Sequence, residues 1–486
     1  MEEIANYGFL SLIPPLLTIA LALLTKNVFV ALLAGIMTSS FVLVGFAPVA
    51  SINAGLYSIV DAMDQGNTII IASCLIVGAV IHLMERSGGI EGFVNVVVKK
   101  MGLIKSKRGA NLFTGVLGLA VFTSGSLSCM VTGAVSRPVN DALKVPHEKS
   151  AFIVHATSTP WCVLFPFSGW LASLVGYLVA GGVAEKDAVT VLFQSIGLNF
   201  YCILVIVLVF VLSILQKDVG PMAKAEKRAA EQGLLDEPGH GTGEAAAAEA
   251  SGVKPRACNL LIPIGVLIVT IFTVMGVTGY NGTVAAGEAV TAQNILSNSA
   301  SMTALLWAVV LALLSIVILT VCQKVFTLEE VISEMFKGMG HMLPVAFVLL
   351  LGFTMGPLVK KLGTGDYLGD IFTRFLSPAL LPALTFLISM LISFATGTSM
   401  GTMAIMAPIC IDMAIKMGDV SIPLVAGAMF GGSIFGDHCS PISDTTIMSC
   451  STTGCDIIDH VKTQTPYCVA VAVASILLYV VFGFIL

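Results

Sequence analysis

Apolar runs long enough to cross a hydrocarbon core of roughly 30 Å recur along the whole chain. They fall near residues 9–25, 28–47, 67–85, 188–215, 259–278, 303–322, 339–359 and 465–486. A soluble surface needs about 25% charged residues, whereas this chain has 11% charged against 56% hydrophobic and a mean hydropathy of +0.96. The pattern predicts an all-α polytopic membrane protein of about ten transmembrane helices. Its constant partner is the lipid bilayer, its expected location is the cell (plasma) membrane, and no nucleic-acid partner is expected. Met1-Glu2-Glu3 is acidic where a cleaved signal needs positive charge, and Pro14-Pro15 interrupts the apolar run. The first segment therefore reads as a membrane helix.

The remaining apolar stretches are broken by hydroxyl-rich clusters. Residues 109–142 are interrupted at Thr123-Ser124-Gly125-Ser126, and 150–182 at Thr157-Ser158-Thr159-Pro160. Residues 379–415 are interrupted at Thr396-Gly397-Thr398-Ser399, and 420–455 at Asp437 to Thr446. Polar, Pro-broken backbone is tolerated at bilayer depth only where it is buried in protein or lines a cavity. Ionisable side chains placed there are functional candidates.

The two halves repeat this plan. Phe122-Thr123-Ser124-Gly125-Ser126 matches Phe394-Ala395-Thr396-Gly397-Thr398, Asp141 and Lys144 find Asp412 and Lys416, and Ser158-Thr159-Pro160 finds Cys439-Ser440-Pro441. Five crossings per half make the repeats inverted. The expected organisation is a first repeat at 1–215, a linker at 216–257 and a second repeat at 258–486. Each repeat carries a re-entrant hairpin and a discontinuous helix. The linker is rich in Ala, Glu and Gly and reads as solvated and poorly ordered, with a frayed helix near 222–234. With the linker in the cytoplasm, only Lys186, Lys360, Lys361, Arg374 and Lys416 of the 24 basic residues fall outside. That orientation satisfies the positive-inside rule.

Helix breaks expose backbone groups that no helix satisfies. Carbonyls, hydroxyls and a carboxylate form a hard oxygen cage suited to sodium, and half-helix N-termini suit an anionic substrate group. The candidate set is therefore Ser124, Ser126, Thr157, Ser158, Thr159, Thr396, Thr398, Ser399, Asp437, Ser440, Ser443, Asp444, Thr445 and Thr446. For each hydroxyl cluster the alternative is close helix packing. Asp444, flanked by Ser443, Thr445 and Thr446, ranks first as the sodium ligand together with Thr445. Asp437, at the end of an apolar run, suits a second ion, a proton or a helix cap. His438 reads either as a proton relay or as an interhelical hydrogen-bonding group. His82 and Glu85 read as snorkelling side chains, and Arg137 with Asp141 as a structural ion pair. The eleven cysteines include no C-x-x-C pair and read as reduced thiols.

Gly436-Asp437-x-x-Ser440-Pro441-Ile442-Ser443-Asp444-Thr445-Thr446 resembles the signature of the NhaC-type sodium/proton antiporter family. Gly363 to Tyr367, Ser393 to Thr402, Gly454-Cys455-Asp456 and Asp459 to Gln464 are similar to further stretches of that family. The resemblance implies the ion-transporter superfamily fold, with re-entrant hairpins, unwound helices and often dimeric elevators, so a homodimer is an expectation. It also implies a sodium-coupled secondary transporter working by alternating access, with sodium as coupling ion and no cofactor. The first reading is sodium/proton antiport; the alternative is sodium-coupled uptake of a small amino or carboxylic acid, since four hydroxyl-lined breaks are more than a bare cation needs. An intramembrane enzyme lacks support, since no H-E-x-x-H pattern or nucleophile–base spacing occurs.

Overall fold

A computed structural model describes residues 7–25, 27–101, 106–122, 124–165, 168, 170–239, 253–291, 294–295, 298–364, 367 and 377–486. Thr123, part of the family-like stretch at 363–367, Arg374 and linker residues 240–252 lie outside the described residues. Helices account for the regular structure, and no strand occurs among the described residues. Eight helices there are long and apolar enough to cross a membrane. Side chains such as Val269, Phe272, Ile318, Phe336, Leu477 and Val481 are exposed around the outside, as a lipid-facing surface requires.

In the first half run α1 (Ile13–Thr25), α2 (Val28–Leu43), α3 (Pro48–Asp61), α4 (Gln65–Arg86), α5 (Gly89–Met101) and α6 (Lys107–Ala120). They are followed by α7 (Gly125–Ala142), α8 (His147–Leu164), α9 (Leu171–Ala180), α10 (Glu185–Ile196), α11 (Phe200–Leu215) and α12 (Gly220–Glu231). The second half contains α13 (Cys258–Ala285), α14 (Ser301–Cys322), α15 (Leu328–Lys361) and α16 (Leu381–Thr396). It closes with α17 (Ser399–Met417), α18 (Ile422–Cys439), α19 (Asp444–Thr453) and α20 (Ile457–Ile485).

Three of the four expected breaks are present. The chain leaves α6 at Val121 and re-enters helix at Gly125, leaves α16 at Gly397 and re-enters at Ser399, and leaves α18 at Ser440 and re-enters at Asp444. Gly397 ends α16 with φ of 69°, a left-handed conformation that glycine adopts without steric cost. The fourth break is not where the sequence put it: α8 runs unbroken through Thr157, Ser158, Thr159 and Pro160 and ends at Leu164. The reason is enclosure. Almost every residue of α8 is buried in protein, where a proline-disturbed backbone is tolerated at bilayer depth. Thr157 returns its hydroxyl to the Ile153 carbonyl at 2.7 Å, and Ser158 accepts from Ser128 at 2.8 Å.

Two further differences are local. The stretch 188–215 divides into α10 and α11, because Asn199 caps α11 by accepting from the Cys202 backbone N–H. The helix α3, opened by Pro48, has no counterpart in the sequence expectation. In the second half α16 and α18 pack closely along their length. Gly436 makes this approach feasible, since a Cβ there would land on the backbone of Ser393 and Phe394.

The start of the linker is better ordered than its composition suggests. Arg228 of α12 donates from one nitrogen to both carboxylate oxygens of Glu148, at 2.8 and 2.9 Å, and both side chains are buried. Lys149 reaches Asp218 at 2.6 Å and Glu226 at 3.1 Å. His147, at the linker-facing end of α8, lies 3.1 Å from Asp141 and 2.9 Å from Asp236. Burial opposes the His147 charge, but the two carboxylates outweigh it and raise its pKa to about 9.

Candidate functional site

The broken helices meet at one cavity of about 550 Å³. The turn before α7 brings Ser124, Gly125 and Ser126 to its wall, and the turn between α16 and α17 brings Thr396, Thr398 and Ser399. The α18–α19 break adds Asp437, Asp444 and Thr445. Trp170, Asn27 and the α15 residues His341 and Met342 complete the part of the lining that matters for chemistry.

The geometry at the α18–α19 break follows from where each helix stops. Asp437 sits in the last turn of α18 and is 2% exposed. Asp444 is the first residue of α19 and is exposed to the cavity. Pro441 lies between them, so the chain turns and folds Ser443 and Thr445 back onto Asp437. Ser443 donates to Asp437 Oδ1 at 2.5 Å and Thr445 donates to Oδ2 at 3.2 Å. The Thr446 hydroxyl reaches the Asp437 carbonyl at 3.5 Å. Asp444 points the other way and accepts from Ser126 of α7 at 2.7 Å. The two carboxylates thus differ in surroundings: Asp437 is enclosed with hydroxyls gathered on it, and Asp444 is exposed.

Of the other sequence candidates, Ser440 is buried in the turn and Thr157, Ser158 and Thr159 are buried inside α8 rather than on the cavity wall. Thr396 returns its hydroxyl to the Ile392 carbonyl, and Thr398 caps α17 by accepting from the Gly401 N–H. His438 is fully buried beside Asp437; its Nδ1 is 3.0 Å from the Tyr201 hydroxyl and 3.6 Å from the Cys468 sulfur. Arg137 and Asp141 form their expected pair at 3.5 Å. His82 is held by Glu334 at 2.8 Å, a partner that sequence spacing did not suggest.

Two residues next to this site escaped sequence reasoning. His155 of α8 places Nε2 3.0 Å from the Thr445 hydroxyl, and its Nδ1 lies 3.2 Å from Nε2 of His460 in α20. Both rings are fully buried. A histidine inside an apolar run was the available signal for His155. His460 stood within a family-like stretch but had no visible partner.

The arrangement can hold a small cation on the Asp437 carboxylate and its hydroxyls, and the cavity beside it lies in the volume range of small-molecule sites. Comparison with known proteins agrees with a transporter. The chain is 30% identical over 483 residues to a protein of uncharacterised function from Haemophilus influenzae, covering 98% of this chain and 91% of that one. A malate-2H(+)/Na(+)-lactate antiporter of Bacillus subtilis is 34% identical over 110 residues, 23% of either chain. The arginine/ornithine antiporter ArcD of Halobacterium salinarum is 29% identical over 155 residues, 31% of this chain and 32% of that protein. Among solved structures, Neisseria gonorrhoeae MtrF, described within a class of antimetabolite efflux pumps, shares the fold with a TM-score of 0.55. It is 14% identical, over 89% of this chain and 85% of that one. Residues 161–484 match the family model described as the Na+/H+ antiporter family. With that match spanning the α18–α19 break and its two aspartates, this multi-pass membrane transporter belongs to the Na+/H+ antiporter family.

Proposed function

We propose that the protein is a sodium-coupled secondary transporter in which Asp437, Ser443 and Thr445 take a dehydrated sodium ion and a proton competes for the same carboxylate. The observation that carries this reading is the enclosed Asp437 carboxylate, with two hydroxyls gathered on it, at the wall of a cavity. A cation stripped of water needs hard oxygen ligands and a compensating negative charge, and this cluster offers both. Asp444, held by Ser126 across the halves, is the exposed acidic group that a cation meets first.

The two turns that bring hydroxyls to the cavity, one from each half, support alternating access built on inverted repeats. A working homodimer belongs to the same proposal. A second reading is favoured by the cavity itself. At about 550 Å³ it exceeds the needs of a bare ion and suits a small amino or carboxylic acid moving with or against sodium. The names of the Bacillus subtilis and Halobacterium salinarum relatives are of that kind.

Vesicles containing the purified protein test both readings under an imposed sodium gradient, with a pH dye inside and labelled amino and organic acids outside. Dye response without added solute supports sodium/proton exchange. Sodium-dependent accumulation of one acid supports the second reading. Neither response would remove sodium coupling.

A further inference from the structure

We propose that the cavity fills from the linker side, through a hydrated chamber between α7 and the paired helices α4 and α15. Ser124, His341 and Met342 are its throat. Only the identity of what passes rests on the sodium-coupled reading; the passage itself rests on geometry.

The chamber has a volume of about 120 Å³. Ile81, His82 and Glu85 of α4, Leu127 of α7 and Gly338 of α15 form its walls. Ser124, His341 and Met342 line both the chamber and the main cavity, so they are the partition between the two spaces. The position of α4 places the chamber on the linker side. At the end of the linker the Arg256 backbone N–H donates to the Gly88 carbonyl at 3.0 Å, and Asn259 donates to the Ser87 carbonyl at 3.1 Å. His82 and Glu85 fall in the last two turns of α4, just before that contact.

One wall is fixed and the other is packed elsewhere. α4 and α15 cross at Gly78 and Gly338, where a Cβ on either would land on the other's carbonyl oxygen. Glu334 of α15 then clamps the pair, meeting His82 at 2.8 Å, Arg86 at 3.5 Å and Lys337 at 2.6 Å. α7 packs instead on α6, α8 and α19, and Ser126 at its start donates to Asp444 of α19. The chamber is thus a seam between two separately packed groups of helices. Small sliding of one group past the other opens or shuts such a seam without breaking either. Met342 suits a throat because its unbranched thioether changes shape readily. It lies over Gly78, where a Cβ would collide with its Cγ.

The lining is built for water. His82 donates from Nε2 to Glu334, while its Nδ1 is buried with no partner in the protein. A buried polar atom of this kind calls for water or a ligand. At about 120 Å³ the chamber has room for several waters. The ring of His341 stands edge-on to His82, with centroids 5.2 Å apart, and carries the polar lining on into the throat. Ionisable side chains at membrane depth mark ion and substrate pathways. His82 and Glu85 therefore serve the passage instead of snorkelling to the surface.

The test labels the full chain in vesicles with a cationic, membrane-impermeant methanethiosulfonate. Cys258 and Cys322, the half-buried and the exposed thiol, are first replaced by serine. A reporter cysteine near residue 240 marks the linker face. Ile81→Cys and Leu127→Cys place thiols on opposite walls of the chamber. Each should react at least about tenfold faster from the linker face than from the other, since a thiol reacts only where water and reagent reach it. Reaction should also block tracer sodium exchange by the same vesicles. Two positions on separate helices guard against a variant that does not fold, which its size-exclusion profile reports. Equal rates from the two faces, faster reaction from the far face, or no reaction from either overturns the passage. Complete modification that leaves sodium exchange intact overturns it too. If the background chain exchanges no sodium while both positions react from the linker face, the sodium-coupled reading falls and the passage stands.

Discussion

Ser126 at the start of α7 and Asp444 at the start of α19 are 318 residues apart in sequence and hydrogen-bonded at 2.7 Å. Each sits in the first turn after a helix break, one in each half of the chain. The bond closes one wall of the cavity, so it must stretch or break if the halves move relative to each other. Ser126→Ala should therefore leave the fold intact and change the balance between conformations. The expected result is an altered transport rate with a thermal midpoint within a few degrees of the parent, because one hydrogen bond contributes about 1 kcal/mol. A rate equal to the parent's would show that this contact is not part of the working cycle.

Arg228 and Glu148 give a sharper stability prediction. Both are buried, and the guanidinium also donates to the Leu234 and Leu235 carbonyls. Arg228→Ala leaves the Glu148 carboxylate buried and unpaired, which costs about 3–5 kcal/mol. Arg228→Met combined with Glu148→Leu removes both charges and should recover most of the loss. Deleting 240–252 should leave stability unchanged, since the paired groups lie before it. Thermal melts of the three variants check this, and equal losses in the single and double variants would contradict it.

His147 makes that docking pH-dependent. Its pKa is raised from 6.5 to about 9 by Asp141 and Asp236. A folded-state pKa above the unfolded one means the stabilisation is complete below about 6.5 and is lost as pH rises through about 9. Hydrogen exchange in 220–236 should accelerate across that window, and His147→Gln should flatten the dependence. Slower exchange with rising pH, once intrinsic exchange rates are divided out, would contradict the sign.

What was legible in the sequence follows from what each feature depends on. Most of the spans and three of the helix breaks were visible because hydropathy and Gly/Pro punctuation are local properties, whereas α1 and α2 are shorter than expected and 188–215 is divided. Eight of the candidate side chains, Ser124, Ser126, Thr396, Thr398, Ser399, Asp437, Asp444 and Thr445, do reach one cavity. The break at Thr157–Pro160 failed because whether a helix continues through a proline depends on the protein that encloses it, which sequence does not show. The surroundings of Asp437 and Asp444 were illegible for a related reason. Hydroxyls flank Asp444 in sequence, but the Pro441 turn swings Ser443 and Thr445 onto Asp437. His155 and His460 lie 305 residues apart, so their pairing is a product of the fold alone.

Topology is open to chemical labelling. A cysteine placed near residue 240 should react with an impermeant reagent only from the cytoplasmic side, and one near residue 290 only from outside. The basis is the concentration of Lys and Arg on the linker side. The parent chain has Cys322 exposed, so the background must first be removed by substituting it with serine. Labelling of both new cysteines from one face would rule out inverted halves.

The two aspartates can be separated by charge removal. Asp437 is enclosed, with Ser443 and Thr445 donating to it, whereas Asp444 is exposed and held by Ser126. An ion bound at Asp437 is shielded from water, so its attraction to the carboxylate is strong, while at Asp444 solvent weakens the same attraction. Asp437→Asn keeps the shape, loses the charge and should abolish the stabilisation by sodium. Asp444→Asn should retain a sodium response shifted to higher concentration, because it loses a long-range attraction rather than a ligand. Thermal-shift titration reads this directly, since a ligand that binds only the folded state raises the midpoint by an amount set by its concentration over Kd. Repeating the titration at lower pH should weaken sodium binding in the parent protein through proton competition at Asp437, so more sodium is needed for the same shift. A full sodium response in Asp437→Asn with none in Asp444→Asn would reverse the assignment and return the ion to the exposed carboxylate.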